Sequence, residues 1–274
     1  MSKFYIQIVL FLLSISVCLN NETLAAEPAP REDTKPQLRS RYPTSEEIFE
    51  KKKNLLCTNP EETKQAVELM DEAVVCLVYH ATNNDDSEPS KSNTGTSSLS
   101  YKKKYEKPAD LLKYNRRFYN FGLYNEIVRM IWDPEHVNFP INNSVITSKK
   151  KITRKVVRVY DPNLIIIQQR YKDSTFSRWK YFYALAKKVE LSEDKTIIVM
   201  TSANINDQYP SDKEYKNTII ENANLFKTDI DSEEDIKKGK LKKVFVNIAG
   251  YLIENIKNHS HITYIESINK EDST

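Results

Sequence analysis

Glycine is nearly absent: four of 274 residues, at positions 95, 122, 239 and 250, where an ordinary chain carries ~7%. Phosphate-cradling loops need backbone that approaches an anion closely. Four scattered glycines assemble neither a G-x-G-x-x-G nor a Walker loop, which excludes the usual nucleotide-binding folds. Cysteine is scarce as well, with three residues, and there is no C-x-x-C or His/Cys cluster to hold structural zinc. An excess of one charge is also missing. Lys and Arg total 41 against 38 Asp and Glu, a net +3, so no global basic field points to nucleic acid. No G-x-S-x-G, H-E-x-x-H or EF-hand loop occurs. The expectation is a non-enzymatic protein without cofactor or metal.

Only one long apolar run exists. Lys3 precedes an almost wholly apolar stretch from Phe4 to Leu19, and Thr23-Leu24-Ala25 offers small residues at −3 and −1. This is the pattern of a secretory signal peptide over residues 1–25, with cleavage after Ala25. The run is short for a span of ~20 residues. Cys18 would leave with it, so Cys57 and Cys76 remain. A helix starting at Pro60 carries Cys76 some 24 Å along its axis at ~1.5 Å per residue, beyond the ~7 Å that a disulfide allows between Cα atoms. Both read as free thiols.

The rest divides by pattern. Residues 26–44 are Pro-rich, charged and without apolar periodicity, a disordered linker. Thr44-Ser45-Glu46-Glu47 is a capping box opening a short helix. Asn59-Pro60-Glu61-Glu62 opens a second, with Asn as N-cap and Pro at the first helical position, and Ala66, Met70, Val74 and Leu77 stripe it to Tyr79. Residues 81–100, rich in Asn, Asp, Ser and Thr, read as a flexible insert. Tyr124 to Trp132 is a third helix, stopped by Asp133-Pro134. From Lys149 the period changes to two. Strands are expected near 153–160, 163–171, 178–190, 195–204, 217–227, 242–253 and 261–268, with hairpin turns at Asp161-Pro162-Asn163 and Ser192 to Lys195. Asp229 to Gly239 is a loop or one helical turn. Helices first and an antiparallel meander second make an α+β protein.

The strands carry the functional signal. Polar groups stand in otherwise apolar segments: Gln169 in Leu164–Tyr171, Tyr183 in Trp179–Leu185 and Asn247 in Val244–Ile253, joined by His136, Tyr160 and Tyr264. An apolar sheet with a few convergent polar groups is what a pocket for an amphiphile requires; an ordinary two-sided core with its amides paired is the other reading. His259-Ser260-His261 puts two imidazoles on one strand face, or in an exposed turn. Asn142-Asn143-Ser144 and Asn258-His259-Ser260 fit the glycosylation sequon.

Several segments closely resemble one family along nearly the whole chain: Asn20–Ala25, Tyr42–Glu47, Leu56–Thr63, Trp132-Asp133-Pro134, Val159–Leu164, Ile167–Asp173 and Phe245–Glu254. They resemble the fam-a multigene family of rodent malaria parasites, whose members carry a START (StAR-related lipid transfer) domain. The resemblance implies a START-like domain over residues 45–274 with a helix-grip fold: N-terminal helices and a curved antiparallel sheet wrapped round a C-terminal helix, with a lipid cavity between. It implies a secreted lipid-binding or lipid-transfer protein whose partners are a phospholipid (phosphatidylcholine among the candidates) and, transiently, a membrane. The destination implied is the secretory pathway, then the parasitophorous vacuole or the host cell. Gly250–Glu254 sits where START domains have a Gly/Ser-Trp-Leu-Ile strand. Trp179 stands where many have an Asp, and Glu135–Pro140 lacks the Arg and Trp of phosphatidylcholine binders. Only six polar residues follow the last strand, so the C-terminal lid helix is expected to be missing. That supports the alternative of a START-derived interaction module at the host–parasite interface that has lost lipid transfer.

The first check is on the leader. N-terminal sequencing of the protein recovered from the secretory pathway should begin at Ala26; a start at Met1 would make the apolar run an anchor.

Overall fold

The computed structural model describes residues 41–83, 88–90, 98–103, 111–119, 122–136, 151–210, 215–257 and 259–269. The leader at 1–25, the linker up to residue 40 and the sequons at Asn142 and Asn258 lie outside them. Residues 41–274 form one compact unit. The helices begin where their caps predict. Thr44 and Glu47 close a reciprocal capping box over α1, Ser45–Lys51. The Asn59 side chain accepts from the amides of Glu61 and Glu62 at the start of α2, Pro60–Thr82, a 23-residue helix. Helix α3, Tyr124–Trp132, ends at Asp133, held in extended conformation before Pro134. A single turn, α4, covers Glu234–Lys237.

The strands in chain order are β1 (Glu88–Ser90), β2 (Ser98–Lys103), β3 (Leu111–Phe118), β4 (Lys151–Asp161), β5 (Leu164–Lys172), β6 (Lys180–Ser192), β7 (Lys195–Thr201), β8 (Asn204–Asn206), β9 (Lys227–Asp229), β10 (Lys242–Lys243), β11 (Phe245–Ile256) and β12 (His259–Asn269). The main sheet runs β1-β2-β3-β12-β11-β7-β6-β5-β4, antiparallel throughout, with β10 added in parallel at the start of β6. β8 and β9 form a separate parallel pair. The N-terminal β1–β3 strip therefore joins the sheet through the last strand, β12.

Three expectations are corrected. Strands β1 and β2 begin inside the 81–100 stretch that reads as a flexible insert. Strand β3 is not among the expected elements, because Lys113, Asn115, Arg116 and Arg117 break up its apolar pattern. The strand expected at 217–227 is irregular, with a short 3-10 turn at Asn222–Asn224. Its asparagines take the backbone's partners: Asn217 Oδ1 accepts from the amides of Ile219 and Ile220, and Asn224 Oδ1 from that of Asn217. The free cysteines Cys57 and Cys76 match the reading from spacing.

Both faces of the sheet are buried. On one lies α2, through Ala66, Leu69, Met70, Ala73, Val74 and Leu77, against Leu164, Ile166, Leu185, Ile197, Val199 and Leu252. On the other lie α1 and α3, through Ile48, Ile127, Ile131 and Trp132, against Ile165, Ile167, Ala184, Ile198, Ala249 and Ile253. Each buried Leu or Ile contributes about 1.5–3 kcal/mol. Polar groups on the α2 side are paired. Asn247, at a bulge in β11, is fully buried; its Oδ1 accepts from Tyr215 Oη at 2.8 Å and its Nδ2 donates to Ser267 Oγ at 3.2 Å. Asn217 Nδ2 donates to the Asn247 carbonyl and to Thr201 Oγ1.

Two substitutions test this packing. A Cβ at Gly250 would lie 2.4 Å from the Ile198 carbonyl oxygen and 2.8 Å from Val199 Cα, both backbone. Gly250→Ala should cost about 1–3 kcal/mol by urea denaturation. Asn247→Leu leaves Tyr215 Oη and Ser267 Oγ without their partner, at about 1–3 kcal/mol for each group left unsatisfied. Combined with Tyr215→Phe it should lose less than the sum; additive losses would show that the bond contributes nothing.

Candidate functional site

The six polar residues singled out in the sequence do not converge on one site. Tyr160, Tyr183 and Asn247 lie on the α2 side, and each is engaged within the protein. Tyr160 Oη donates to Glu62 Oε1 at 2.6 Å. Tyr183 Oη accepts from Gln168 Nε2 at 2.5 Å and shares a hydrogen bond with Ser232 Oγ at 2.8 Å. Asn247 is paired as described. Gln169 and Tyr264 lie on the α3 side, and His136 follows α3 with its ring edge-on to Tyr42, centroids 4.9 Å apart.

The α3 side has a different chemistry. Every other residue of β5 faces it, which brings Ile165, Ile167, Gln169 and Tyr171 to this face. Register places Arg154 of β4 opposite Gln169, and its Nε and Nη2 both donate to Gln169 Oε1, at 3.0 and 2.7 Å. Burial pushes the Arg154 guanidinium down to about 10. Gln169 is fully buried, and its Nε2 has no hydrogen-bond partner among the described residues; neither has Trp132 Nε1 nor Ser45 Oγ. Further along the sheet Tyr264 Oη donates to Glu266 Oε2 at 3.1 Å, and the Tyr251 and Tyr264 rings lie 4.6 Å apart. Burial, aided by Glu266, pushes the nearby Tyr114 phenol up to about 12.

Between α3 and the sheet runs a seam walled by Ile131, Trp132, Pro134, Ile165, Ile167, Ala186, Ile198, Met200, Tyr251 and Arg154. Its volume is about 20 Å³, room for one water. A second hollow of about 230 Å³ lies at the corner of α1 and α3, bounded by Pro43–Glu46, Val128, Arg129, Lys188 and Glu190. Trp132 lines both. Helix α3 is held by its buried apolar face and by one buried hydrogen bond, Tyr124 Oη to Thr196 Oγ1 at 2.7 Å.

Sequence reasoning missed Arg154 and Trp132. Arg154 stands in a lysine- and arginine-rich stretch, and only the β4–β5 register shows its partner. Trp132 reads as an ordinary member of the α3 stripe; its unpartnered indole N–H is visible only in three dimensions. The imidazole pair His259 and His261 finds no third ligand. His261 Nδ1 lies 3.6 Å from Glu254 Oε2, and among the described residues no group of three or more His, Cys, Asp or Glu side chains could hold a metal ion.

No family's sequence profile matches the chain, and no curated protein matches it by sequence. Solved structures do. Human StAR-related lipid transfer protein 5 superposes with a TM-score of 0.52 at 8% identity, over 77% of this chain and 85% of that one. Human STARD10 gives 0.49 at 11%, over 72% of this chain and 66% of that one. The lipid transfer and protein localization domain of human StarD13 gives 0.45 at 14%, over 73% and 83%. At such identities the likeness is one of fold: the chain has the START-like helix-grip α+β architecture, a large antiparallel sheet with few helices.

Proposed function

We propose that the protein binds and carries one lipid, a phospholipid, on the α3 side of the sheet. One observation carries this reading: an apolar seam lined by Trp132, whose buried Nε1 is unpartnered, and by the Arg154 cation, which holds Gln169, whose own Nε2 is unpartnered among the described residues. An N–H buried without an acceptor costs about 1–3 kcal/mol. A lipid head offering phosphate or ester oxygens would satisfy both donors while its chains occupy the apolar wall. Tyr264 and His136 are further candidate contacts on this side. The lipid-transfer names of the structural neighbours support the reading, as does the resemblance to the fam-a family. Secretion through the residue 1–25 leader and delivery to the vacuole or host cell belong to the same proposal.

A seam of about 20 Å³ is far below the ~300–1,000 Å³ of ligand pockets. The described state is therefore closed. Uptake requires α3 to lift and Trp132 to turn, joining the seam to the neighbouring hollow. The closed seam also favours the second reading, an interaction module that no longer transfers lipid.

Native mass spectrometry and vesicle-to-vesicle transfer of a fluorescent phospholipid separate the two. The expected result is one bound lipid. Trp132→Phe, which removes the indole N–H together with part of the ring, should lower retention about fivefold or more, one hydrogen bond of ~1 kcal/mol setting the lower bound. Arg154→Met should lower it about tenfold or more. Trp132→Phe should melt near the parent temperature, whereas Arg154→Met strips the buried Gln169 Oε1 of both its donors and should cost about 1–3 kcal/mol of stability. A protein recovered empty and inactive in transfer would favour the interaction module.

A further inference from the structure

We infer that the β5–β6 hairpin is the surface through which the protein docks on anionic membranes; the inference rests on the lipid-carrier reading for its purpose and names the partner surface. The connection between β5 and β6, Asp173–Trp179, is short and internally tied. Ser177 Oγ donates to the Ser174 carbonyl at 3.0 Å and accepts from the Ser174 amide at 2.9 Å, and Lys172 Nζ donates to the Thr175 carbonyl at 3.3 Å. At its apex Phe176 is 99% exposed. Scattered, partly covered apolar residues are normal on a surface. A whole phenyl ring held out in water on a closed turn is not explained by packing, and it is the shape of a wedge for a bilayer interface.

The charge around the wedge fits the same partner. Arg178 Nε donates to the Lys240 carbonyl at 2.8 Å and its Nη2 to the Gly239 carbonyl. The Lys242 amide donates to the Trp179 carbonyl, and β10 pairs with β6 at Lys180 and Tyr181. The stretch Lys237–Lys243 is thus sewn to the hairpin. Together 172–180 and 237–243 hold eight basic residues and one acid, Asp173. Part of this charge is spent locally: Lys180 on Asp173, Lys237 on Asp231, Lys238 on Glu234 and Lys243 on Asp207. Arg178 and Lys240 remain exposed to solvent, and Lys238, though paired with Glu234, is exposed as well. In a chain of net charge +3 this is a concentrated collar of cations round one aromatic, complementary to an acidic lipid surface.

Its position serves the seam. Gln169 lies three residues before Lys172, the end of β5, about 10 Å up the strand at ~3.3 Å per residue. The Arg154–Gln169 pair therefore lies near the hairpin end of β5, between the turn and the seam that Arg154 lines.

The test uses residues 41–274, the compact unit, which leaves out the apolar leader. Co-sedimentation is measured with phosphatidylcholine vesicles with and without phosphatidylserine. Binding should require phosphatidylserine and vanish at about 1 M salt, where the screening length is ~3 Å. Phe176→Ala should weaken it about tenfold or more, and Lys238→Glu with Lys240→Glu about tenfold or more, with little change in melting temperature because the side chains are exposed and the Lys238–Glu234 pair that is lost is a surface one. Phe176→Trp should blue-shift its fluorescence on these vesicles. Binding to neither vesicle, equal binding to both, or binding indifferent to Phe176 and the lysines would overturn the inference. Retention on an immobilised acidic peptide without vesicle binding would replace the membrane by a protein partner. A protein that docks as described yet is lipid-free by native mass spectrometry leaves this surface in place and overturns the carrier reading.

Discussion

A sheet that is apolar on both faces cannot stand in water without two covers, and most features of this molecule follow from that demand. Six consecutive residues of β5, Leu164 to Gln169, are buried, so the strand has no solvent side on which to place a polar group cheaply. The adjacent amides Gln168 and Gln169 point to opposite faces and meet different solutions. Gln168 donates to Tyr183 and Glu233 and accepts from Arg170. Gln169 accepts twice from Arg154, and its own Nε2 donates to no described group. The α2 side is saturated with hydrogen bonds; the α3 side is left with donors in excess.

That asymmetry divides labour between the faces. The α2 side is clamped by charge as well as by packing. Glu62 at the start of α2 accepts from Tyr160, Arg158 and Thr228 at once. Burial alone would raise its pKa, and the bonds from Tyr160 and Arg158 outweigh that and lower it. Glu233 follows the same logic: burial opposes ionisation, but bonds from Lys155 and Gln168 hold it down at about 2. Both carboxylates stabilise the fold above their unfolded pKa, and the gain is lost as pH falls through the folded one. The α3 cover is a helix of nine residues against the 23 of α2, with one buried hydrogen bond. If a face is to open for a lipid, the smaller apolar area and the fewer directional bonds make it this one.

Local chemistry made much of the fold legible. Caps with a mechanism, at Thr44 and Asn59, and the Asp133-Pro134 stop located the helices, and turn residues located the β4–β7 hairpins. Long-range pairing was not legible. Strand β3 exists because Thr263, Tyr264 and Ile265 of β12 lie opposite Asn115, Tyr114 and Lys113, a partner about 150 residues away in the chain. The irregular 217–227 stretch looked like a strand because its apolar residues are right for one, and its asparagines overrule them. The placement of the candidate polar residues was half legible. Polar residues in apolar strands turn out to lie on both sides of the sheet, Gln169 and Tyr264 on the α3 side and Tyr160, Tyr183 and Asn247 on the α2 side, because the rule is blind to face and to whether a group is already satisfied. Those three are among the best-paired residues in the molecule.

The alternation of β5 also connects the seam to the surface beyond it. Gln169 faces the α3 side, and the next residue, Arg170, faces the other way, where Asp235 accepts from it at 2.8 and 3.1 Å and Glu233 lies 2.9 Å away. Those two acids belong to the segment that continues into Lys237–Lys243, so one residue of β5 anchors the basic collar while its neighbour holds Arg154, which lines the seam. A strand in a packed sheet does not stretch, and its side chains sit in discrete rotamers. The strand therefore ties the hairpin to the Arg154–Gln169 pair through one continuous element, with Gln169 on the α3 side and Arg170 on the α2 side.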